Sequence, residues 1–583
     1  MKKYLLRHGD RTVNTFATAS NPLLKHDALY DVPAFGNVNL LHFTDCHAQL
    51  LPIYYREPSI NLGTGRALGK VPHLVGAPLL RTYGIEAGSR NAYAFTHLDF
   101  EAAARTYGKV GGFAHLATLI KRLKGDRPKT LLLDGGDSWQ GSATALWTAG
   151  QDMVEASLGL GVDVMTGHWE FTYGAERVLH VVRNDFKDRV AFVAQNIVGQ
   201  DGAETVFEPA VIREQNGIPV AILGQAFPYT PQANGAHFTP GWTFGIDEAR
   251  LQALVDKVRT SGAQVVVLLS HNGMDIDLKM ASRVRGIDII LGGHTHDGVP
   301  VPSIVPNSGG STIVTNAGSH GKFLAVVDFD VRHGRVADWR YRLLPIFPEL
   351  LPADLTMQTT IDRVRAPFEA RLREPLAQNS ELLYRRGNFN GSWDQLIVQA
   401  LMQEMDAEIA FSPGFRWGTT LLPGQTITRE DLMAQTAITY PDTWVSHMSG
   451  AEIRRTLEQL SDKLFNDDPY QHQGGDMLRT GGLTYTCEPA ADMGARISNM
   501  RLNGQPIDAE KSYKVARWGV GASSSKTNGA PIWDVVEQYL RQSRPGQLHT
   551  PNVPQLAGVN DNPGIAQDWG MPKSVSTPFE GHA

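Results

Sequence analysis

The stretch "LLHFTDCHAQL" (Leu40–Leu50) begins as an apolar run and then presents Asp45, Cys46 and His47 in succession. An apolar run that ends abruptly in polar residues is typical of a buried β-strand whose carboxyl end faces a ligand site. The carboxylate and the imidazole could both bind a metal ion. A lone Asp-x-His is also common in solvated loops, so the stretch needs support from the rest of the chain.

Runs of the same design recur along residues 38–345. They are "KTLLLDGGD", "VDVMTGHWE", "VAFVAQNI", "IPVAILGQ", "AQVVVLLSHN" and "IDIILGGHTH". Helical patterns such as "GGFAHLATLIKRLKG" and "GIDEARLQALVDKVRTSG" lie between them. Strands that alternate with helices need crossover connections, which predicts an α/β fold with a largely parallel or mixed sheet.

The ends of these strands carry a set of candidate metal ligands. The set is Asp45, His47, Asp137, His168, His271, His294 and His296. Two carboxylates and five imidazoles suit Mn, Fe or Zn. Since one ion rarely takes so many protein ligands, the set predicts two ions bridged by one carboxylate. The glycines before His168 and His294 are expected to allow tight backbone turns.

The composition limits the class of protein. A chain of 583 residues is too long for one core, and the net charge of -6 argues against a general nucleic-acid binder. No apolar stretch is long enough to span a bilayer, so neither nucleic acid nor membrane is an expected partner. Cys46 and Cys487 are the only cysteines, which excludes a disulfide framework and a Cys-based zinc cluster.

The pattern divides the chain into five segments. We expect an N-terminal extension at 1–37, a metal-binding domain at 38–345, a linker helix at 346–374, a second α/β unit at 375–545 and an extended tail at 546–583. An insertion between Pro52 and Gly108 is predicted to be loops with one helix. The opening "MKKYLLRHGDRTVNTF" has no apolar core of signal-peptide length, which predicts either a cytoplasmic protein or a targeting segment missing from this chain.

The order of these blocks resembles the calcineurin-like metallophosphoesterases of the 5′-nucleotidase group. The resemblance covers about 38–345 and 375–545 and includes "GGLTY" after "GGDMLRT". It implies a four-layer α/β metallophosphoesterase sandwich followed by a smaller C-terminal α/β substrate domain. It further implies that Asp45, His47 and His296 surround one ion, that His168, His271 and His294 hold the other, and that Asp137 bridges them.

The chain departs from that group at informative positions. The group reads G-N-H-E-F-D where this chain reads "GHWEFT", so His168 replaces an Asn, Trp169 the catalytic His, and Thr172 the Asp that orients it. In "GGHTH", His296 replaces a Gln. The segment "WGVGASSSKTNGAPIWDV" stands in place of a Gly-Gly-Asp-Gly segment near the nucleoside pocket. Loss of the His–Asp pair should cost a phosphomonoesterase about 10²–10⁴ in rate.

The segments "HFTDCHAQLLPIYYREP", "GGDSWQGS", "TGHWEFTYG" and "GGHTHDG" resemble the SoxB family of sulfate thiol esterases (thiosulfohydrolases) of bacterial thiosulfate oxidation. This resemblance implies a periplasmic hydrolase with two Mn²⁺ ions, Zn or Fe being alternatives. Its substrate would be the cysteine-bound S-sulfonate on the C-terminal arm of the SoxYZ carrier, with other Sox components as further partners. Metal-hydroxide attack on the terminal sulfur would release sulfate. The persulfide can leave as an anion, which would explain why the catalytic histidine of the nucleotidases is absent from this chain.

Residues outside the ligand set are assigned to the substrate. Arg416 in "FSPGFRWG" is expected to bind the sulfonate oxygens, since a planar guanidinium suits paired oxygens. Trp169 would supply an apolar wall or an N–H donor, or simply pack. Asn196, with Asn272, is a candidate donor near the metals. Cys46 is expected to be a buried bystander.

Two other functions remain open on the sequence. A 5′-nucleotidase or cyclic-nucleotide phosphodiesterase would use the same metals and release phosphate from AMP. A metal-dependent binding or carrier protein without turnover would have a ligand set with no open position.

Overall fold

A computed structural model describes residues 29–200, 202, 204–519, 529–543, 546–567 and 569. The first part of the described chain contains fourteen strands. They are β1 (Val38–Phe43), β2 (Leu131–Asp134), β3 (Val164–Met165), β4 (Ala191–Phe192), β5 (Ile197–Gly199), β6 (Ala210–Gln215), β7 (Ile218–Gln225), β8 (Trp242–Phe244), β9 (Val265–Ser270), β10 (Ile289–Gly292), β11 (Ser303–Asn307), β12 (Gly310–Asn316), β13 (Phe323–Arg332) and β14 (Arg335–Pro345).

Ten α-helices accompany these strands in the described chain. They are α1 (Gly76–Tyr83), α2 (Arg90–Phe95), α3 (Phe100–Tyr107), α4 (Phe113–Gly125), α5 (Ala143–Thr148), α6 (Gln151–Leu160), α7 (Ala175–His180), α8 (Thr230–Asn234), α9 (Glu248–Thr260) and α10 (Met274–Arg283). Short 3₁₀ segments at Gly65–Ala67, Trp169–Tyr173 and Ala236–Phe238 and a π-helical turn at Val181–Asp185 complete this part.

Two six-stranded sheets form the centre of this domain, in the orders β14-β13-β1-β2-β3-β4 and β11-β12-β10-β9-β7-β6. The strands β1 to β4 run parallel, as do β7, β9, β10 and β12. Antiparallel strands lie at the edges, so both sheets are mixed. The predicted α/β architecture is therefore confirmed. The carboxyl ends of the parallel strands meet along one edge of the sheets, where ligand sites form.

The two sheets pack face to face over a shared core. Leu40 and Leu133 of the first sheet lie in the same buried cluster as Ile222, Val267 and Leu291 of the second. Helices cover the outer faces, because Leu41 packs in one cluster with α4 and Leu268 in another with α9 and α10. The alternation of buried residues to opposite faces of each strand produces these layers. The result is the four-layer sandwich that the resemblance implied.

The insertion between β1 and α4 was predicted to be loops with one helix, and this prediction was wrong. It contains the helices α1, α2 and α3. Each is too short to be stable alone, but Tyr93, Phe95 and Phe100 pack into the core between the sheets. Packing of a few aromatic residues against a distant core therefore stabilises these short helices.

The segment after β14 was predicted to be one linker helix. The structure has two pieces, α11 (Leu355–Arg365) and α12 (Glu369–Leu372). Pro367 lies between them, and a proline inside a helix removes a backbone hydrogen bond and clashes with the preceding turn. The break therefore follows from a residue already visible in the sequence.

The remaining chain forms a smaller α/β domain. Its strands are β15 (Pro375–Gln378), β16 (Ile409–Gly414), β17 (Thr426–Thr428), β18 (Thr443–Ser449), β19 (Asp476–Gly481), β20 (Leu483–Cys487), β21 (Ile497–Leu502), β22 (Gln505–Pro506), β23 (Ser512–Trp518) and β24 (Gln555–Leu556). Its helices are α13 (Ser392–Glu404), α14 (Arg429–Thr436), α15 (Gly450–Leu464) and α16 (Ile532–Gln542). Four-stranded sheets of order β18-β23-β16-β19 and β22-β21-β20-β24 form its centre.

The C-terminal tail connects the two domains. Its strand β24 pairs with β20 of the smaller domain. Further on, Pro563 accepts a hydrogen bond from the backbone N–H of Val75, and Ile565 bridges to Ile60, both in the insertion of the larger domain. The tail therefore holds the insertion against the smaller domain.

Parts of three predicted segments lie outside the described residues. They are most of the extension at 1–37, residues 520–528 of the "WGVGASSSKTNG" segment, and the last part of the tail. Within the described residues, no helix is both long and apolar enough to cross a membrane.

A buried ion pair is expected to stabilise the larger domain. Arg127 and Asp328 are 0% and 3% exposed, and their side chains form two hydrogen bonds of 3.0 Å. Arg127→Ala leaves Asp328 charged and unpaired in the core, which should cost about 3–5 kcal/mol of unfolding free energy. Urea unfolding followed by circular dichroism measures this loss.

The matched control is Arg285→Ala, which removes the exposed pair of Arg285 with Asp256 at 3.5 Å. Exposed pairs contribute about 0–1 kcal/mol, so this variant should unfold at nearly the wild-type urea concentration. Equal effects of the two substitutions would contradict the stabilising role of the buried pair.

Candidate metal centre

The seven predicted ligands lie together where the carboxyl ends of the two sheets meet. Asp45 and His47 follow β1, Asp137 follows β2 and His168 follows β3, while His271 follows β9 and His294 and His296 follow β10. They form two groups whose ligand atoms lie within 4.8 Å of one another. The first group is Asp137, His168, His271 and His294, and the second is Asp45, His47, Asp137 and His296.

The first group converges on the carboxylate of Asp137. His271 Nε2 lies 3.0 Å from Asp137 Oδ2, and His168 Nδ1 lies 3.3 Å from Asp137 Oδ1. The other ring nitrogen of His271, Nδ1, lies 2.6 Å from the carbonyl oxygen of Gly135. That nitrogen must carry a hydrogen to bond a carbonyl, so Nε2 is the nitrogen that would offer a lone pair to a metal ion.

The second group is oriented in a similar way. His47 Nε2 lies 3.0 Å from His296 Nε2, which lies 3.3 Å from Asp45 Oδ1. Gln140 donates to the carbonyl of Ala437 and thereby turns its own oxygen toward His47 Nδ1, at 3.4 Å. His47 Nδ1 then carries the hydrogen, and its Nε2 presents a lone pair to the group. A proton on His296 Nε2 or a cation between the two nitrogens would satisfy this contact.

The backbone at these ligands is unusual. Asp45, His47, Asp137, His294 and His296 have φ values of 52°, 45°, 58°, 70° and 61°. Left-handed conformations cost most residues roughly 1–2 kcal/mol each and persist only where the surrounding structure fixes them. Five such residues in one place indicate loops shaped to aim side chains at a common point.

The glycine before His294 has a different role from the predicted one. Gly293 is not left-handed, but a Cβ there would lie 2.5 Å from Thr44 Oγ1 and 3.0 Å from both Asp45 Oδ2 and His271 Nδ1. Glycine is needed because the loops from the two sheets approach each other too closely for a side chain. The prediction of a tight turn is therefore corrected to a close contact.

Glu170 holds two of the ligand loops together. Its carboxylate accepts backbone hydrogen bonds from Ser138 at 2.7 Å and from His168 at 2.8 Å, with longer ones from Asp137 and Trp139. Burial raises the pKa of Glu170, while these donors lower it. These contacts give Glu170 the position to orient the loops that bear Asp137 and His168.

Burial is the largest influence on the charges of the site. It lowers the pKa of His47 and His168, and together with neighbouring cationic groups it holds the pKa of His294 and His296 well below the usual range. Histidine must be neutral to bind a metal. Burial also lowers the pKa of His271, but the carboxylates of Asp137 and Asp45 outweigh it and raise that pKa to about 10. The carboxylates of Asp45 and Asp137 thus favour a positive charge beside His271.

The two groups open into a cleft between the domains, which we call the main cleft, with an empty volume of about 1420 Å³. Trp169 lines the cleft, with its ring centroid 4.9 Å from that of Trp417 and 5.4 Å from that of Phe415. Arg416 also lines it, and its Nη1 lies 3.5 Å from His294 Nε2. Both residues therefore lie at the edge of the metal groups.

Asn196 does not reach the cleft, which corrects its assignment as a donor near the metals. Its amide nitrogen donates to the carbonyl oxygens of Ala226 and Gly245, and its oxygen accepts from the N–H of Ala226. Asn272 is likewise engaged, with Asp277 and Gln225. Both amides connect loops that support the ligands.

Cys46 is fully buried, as predicted, and burial raises the pKa of its thiol well above the usual range. It lies in the core cluster beneath the first sheet. It therefore belongs to the packing of the domain.

Sequence reasoning missed several residues of the site. Trp417 and Phe415 flank Arg416 and line the main cleft, and Trp417 stacks on His47 with centroids 5.9 Å apart. Phe227 packs on both His168 and His294, at 4.2 and 4.1 Å. The aromatic residues around Arg416 in "FSPGFRWG" were a usable signal, whereas nothing in the sequence pointed to Phe227.

The donor set fits two metal ions. Carboxylates and neutral imidazoles are the ligands that Mn, Fe and Zn take, and a shared aspartate is suited to bridge two ions. Both ring nitrogens of His168 and the Nε2 of His271 make no hydrogen bond to any described residue. Buried polar atoms are normally paired, so these atoms are consistent with ligands aimed at a cation.

Metal content should depend on Asp137 more than on any single histidine, because Asp137 belongs to both groups. Asp137→Ala should lose both Mn²⁺ ions after reconstitution and desalting, whereas His168→Ala should lose mainly one. Elemental analysis measures the ions per chain. His447→Ala, on the exposed surface of β18, is the control and should keep the wild-type content.

Glu170→Gln should weaken metal binding without removing a ligand. The amide presents hydrogens to N–H donors that need an acceptor, so the loops bearing Asp137 and His168 should shift. Loss of such a supporting group costs about 10–100-fold in metal affinity, which calorimetric titration with Mn²⁺ measures. Glu176→Gln on the exposed surface of α7 is the control, and wild-type affinity in both variants would refute the role of Glu170.

Comparisons with known proteins connect this site to a family. Residues 385–524 match the family described as 5′-nucleotidase, C-terminal domain. The solved structure of the sulfate thiohydrolase SoxB of Thermus thermophilus in complex with glycerol is 38% identical, with a TM-score of 0.84 over 91% of this chain and 98% of that one. A 5′-nucleotidase precursor, also from Thermus thermophilus, shares the fold, with 19% identity and a TM-score of 0.71 over 90% and 99% of the two chains.

A curated relative is the 5′-nucleotidase of Mus musculus, 27% identical over 283 residues. That match covers 45% of this chain and 48% of the mouse protein, about half of each. The match to the Thermus thermophilus SoxB structure extends over both domains at twice the identity of the nucleotidase structure, 38% against 19%. The chain therefore belongs to the SoxB family, a branch of the 5′-nucleotidase-type metallophosphoesterases, and is a hydrolase of that group with a two-metal ligand set.

Proposed function

We propose that this protein releases sulfate from a cysteine-bound thiosulfonate on the SoxYZ carrier. The balanced reaction is Cys–S–S–SO₃⁻ + H₂O → Cys–S–S⁻ + SO₄²⁻ + 2 H⁺. The bond between the two outer sulfurs breaks, a bond from the terminal sulfur to the water oxygen forms, and the persulfide leaves with the electron pair. Similarity to the Thermus thermophilus sulfate thiohydrolase supports this reaction class.

The observation that carries the proposal is the lining of the main cleft. Outside the metal groups, Asp476 supplies the one carboxylate among its described lining residues, and no further histidine lines it. Asp476 lies 3.5 Å from Arg416 and 3.5 Å from Arg479, so its charge is held by cations. Outside the metal groups, the described lining therefore holds no imidazole and no free carboxylic acid to protonate a leaving group, and Lys463 is its one ammonium. An alkoxide needs such a donor, whereas a persulfide is far less basic and leaves as an anion.

In the proposed reaction, the aromatic residues of the main cleft surround the sulfur atoms of the substrate. Trp169 lies where the 5′-nucleotidase pattern carries a catalytic histidine, and it packs against Trp417 and Tyr440. These rings exclude bulk water from the reacting sulfur and present an apolar wall to the sulfur atoms of the substrate. In this proposal, the polar side chains of the cleft contact the sulfonate oxygens and not the other sulfur atoms of the substrate.

Arg416 is assigned to the sulfonate. Its side chain is 12% exposed, borders His294 and faces the main cleft, so its guanidinium can donate to paired oxygens of the substrate. Metal ions held by the two groups, Mn²⁺ with Zn or Fe as alternatives, would lower the pKa of a water and polarise the sulfonate. The protein's own part is to aim the ligands, bind the sulfonate and keep the site dry.

The proposal includes a partner and a compartment. The main cleft is long enough to reach α15, where Thr456, Gln459 and Leu460 line it, and this suits an extended peptide arm better than a small molecule alone. The SoxYZ arm is that partner in our proposal. A periplasmic location follows from the family resemblance.

A 5′-nucleotidase is the second candidate, favoured by the C-terminal family match at 385–524 and by the mouse relative. The discriminating experiment incubates the Mn-reconstituted protein with a peptide ending in cysteine thiosulfonate and, separately, with AMP. Sulfate and phosphate are both measured by ion chromatography. Sulfate from the peptide is expected, and phosphate without sulfate would establish the nucleotidase instead. Metal binding without either product would establish a binding protein.

Arg416→Ala should lower kcat/KM for sulfate release by about 10²–10³, because removal of one preorganised donor to a developing charge costs this much. Arg416→Lys should recover only part of the loss, since an ammonium group cannot form the planar two-point contact. Arg373→Ala, whose side chain is 79% exposed, is the control. A wild-type kcat/KM in Arg416→Ala would remove this residue from the site.

A further inference from the structure

A second cavity lies behind the main cleft. This cavity, which we call the side chamber, has an empty volume of about 640 Å³ and lies between the domains. The insertion, the start of α10 and the smaller domain each supply part of its lining. The residues that line the side chamber and not the main cleft include Asn61, His73, Asp275, Asp297, Arg386 and His472.

A thin wall separates the side chamber from the main cleft. His294, Arg416 and the segment Gly474–Asp476 line both cavities. Arg416 runs through this wall, with Nη1 beside His294, Nη2 donating to the carbonyl of Gly475 at 3.1 Å, and Nε 3.5 Å from Asp476. The side chamber therefore borders His294, a residue of the metal groups, on a different side from the main cleft.

The side chamber is polar where the main cleft is aromatic. Three atoms in its lining are buried and make no hydrogen bond to a described residue: His73 Nδ1, Asp297 Oδ2 and Arg386 Nε. The three residues are 8%, 9% and 7% exposed. Buried polar atoms without a protein partner are normally satisfied by water. The lining therefore suits water and small ions.

The side chamber is lined by three cationic side chains and three carboxylates; the cations are Arg386, Arg416 and Lys463. Asp275 lies 3.1 Å from His73 and 3.6 Å from His472. Asp476 lies 3.5 Å from Arg416 and 3.8 Å from Arg386, and Asp297 accepts a hydrogen bond from Asn61. Arg386 donates to the carbonyl of Thr295 and keeps its Nε free of described partners. The side chains of His472 and Asp275 are 23% and 18% exposed, so the side chamber approaches the surface beside them.

We propose that the side chamber is a second route to the metal centre, by which water enters and an oxyanion product leaves while a peptide arm fills the main cleft. This inference rests on the proposed function. Hydrolysis consumes a water and produces sulfate, a dianion whose exit through the main cleft a bound peptide arm would block. Arg416 and then Arg386 offer successive cations along the side chamber. The product therefore need not wait for the arm to withdraw.

One helix offers a matched pair of substitutions. Leu464 of α15 lines the side chamber and not the main cleft, whereas Leu460, one turn earlier, lines the main cleft and not the side chamber. Both are partly buried and neither belongs to the metal groups. Leu464→Trp narrows the side chamber, and Leu460→Trp narrows the main cleft.

The experiment measures sulfate release from two substrates, a long peptide ending in cysteine thiosulfonate and the single amino acid cysteine thiosulfonate. Leu464→Trp should lower kcat on the peptide by about tenfold or more and on the amino acid by less than about twofold, because the small substrate leaves the main cleft open for product release. Leu460→Trp should raise KM for the peptide more than for the amino acid and should lower kcat on neither substrate selectively, because it narrows the entrance and not the side chamber.

Melting temperature and Mn content of each variant test its folding, and Leu464→Phe provides a smaller obstruction whose effect should be intermediate. Equal loss on both substrates in a folded Leu464→Trp protein, or no loss on the peptide, overturns the second route while the proposed function stands. Absence of sulfate release by the wild type from either substrate overturns the proposed function itself.

Discussion

The concentration of electron-pair donors at one point is the constraint on which the rest of the structure depends. Two imidazole nitrogens lie 3.0 Å apart, and the buried carboxylates of Asp45 and Asp137 lie beside them. Such an arrangement is unfavourable by itself, so rigid elements have to enforce it. The two sheets do so by directing their carboxyl ends to one place. Left-handed residues in the loops and the hydrogen bonds of Glu170 then fix the positions of the ligand side chains.

Much of this centre could be predicted because its parts are local in sequence. An apolar run that ends in Asp-x-His or Gly-Gly-His-x-His predicts both the strand and the metal ligands after it. The two ligand groups contain the residues that the family resemblance implied. The predictions failed where long-range packing decides. Asn196 looked like a site residue but bonds Ala226, a neighbour only in the folded chain, and the helices of the insertion depend on aromatic contacts with a distant core. Phe227 and Arg386 join the site through the same kind of contact.

The smaller domain sets the character of the chemistry. It brings Arg416 and Trp417 against the ligands His294 and His47, which belong to the larger domain, and Phe415 against Trp169. The metal groups alone would suit many hydrolytic reactions, and the fold is shared with nucleotidases. In the proposed function, selectivity for the substrate arises at the interface between the domains, where an aromatic wall and one guanidinium replace the imidazole of the nucleotidase pattern.

The tail gives this interface a mechanical property. Because β24 is paired to the smaller domain and Pro563 and Ile565 are bonded to the insertion of the larger one, the chain forms a closed ring around the domain boundary. Such a ring restrains the freedom of the domains to rotate apart, as a covalent cross-link would, although it is made of hydrogen bonds. Opening the interface widely would require the tail to detach from one side. The distance across the active site is thus coupled to the attachment of the chain's own end.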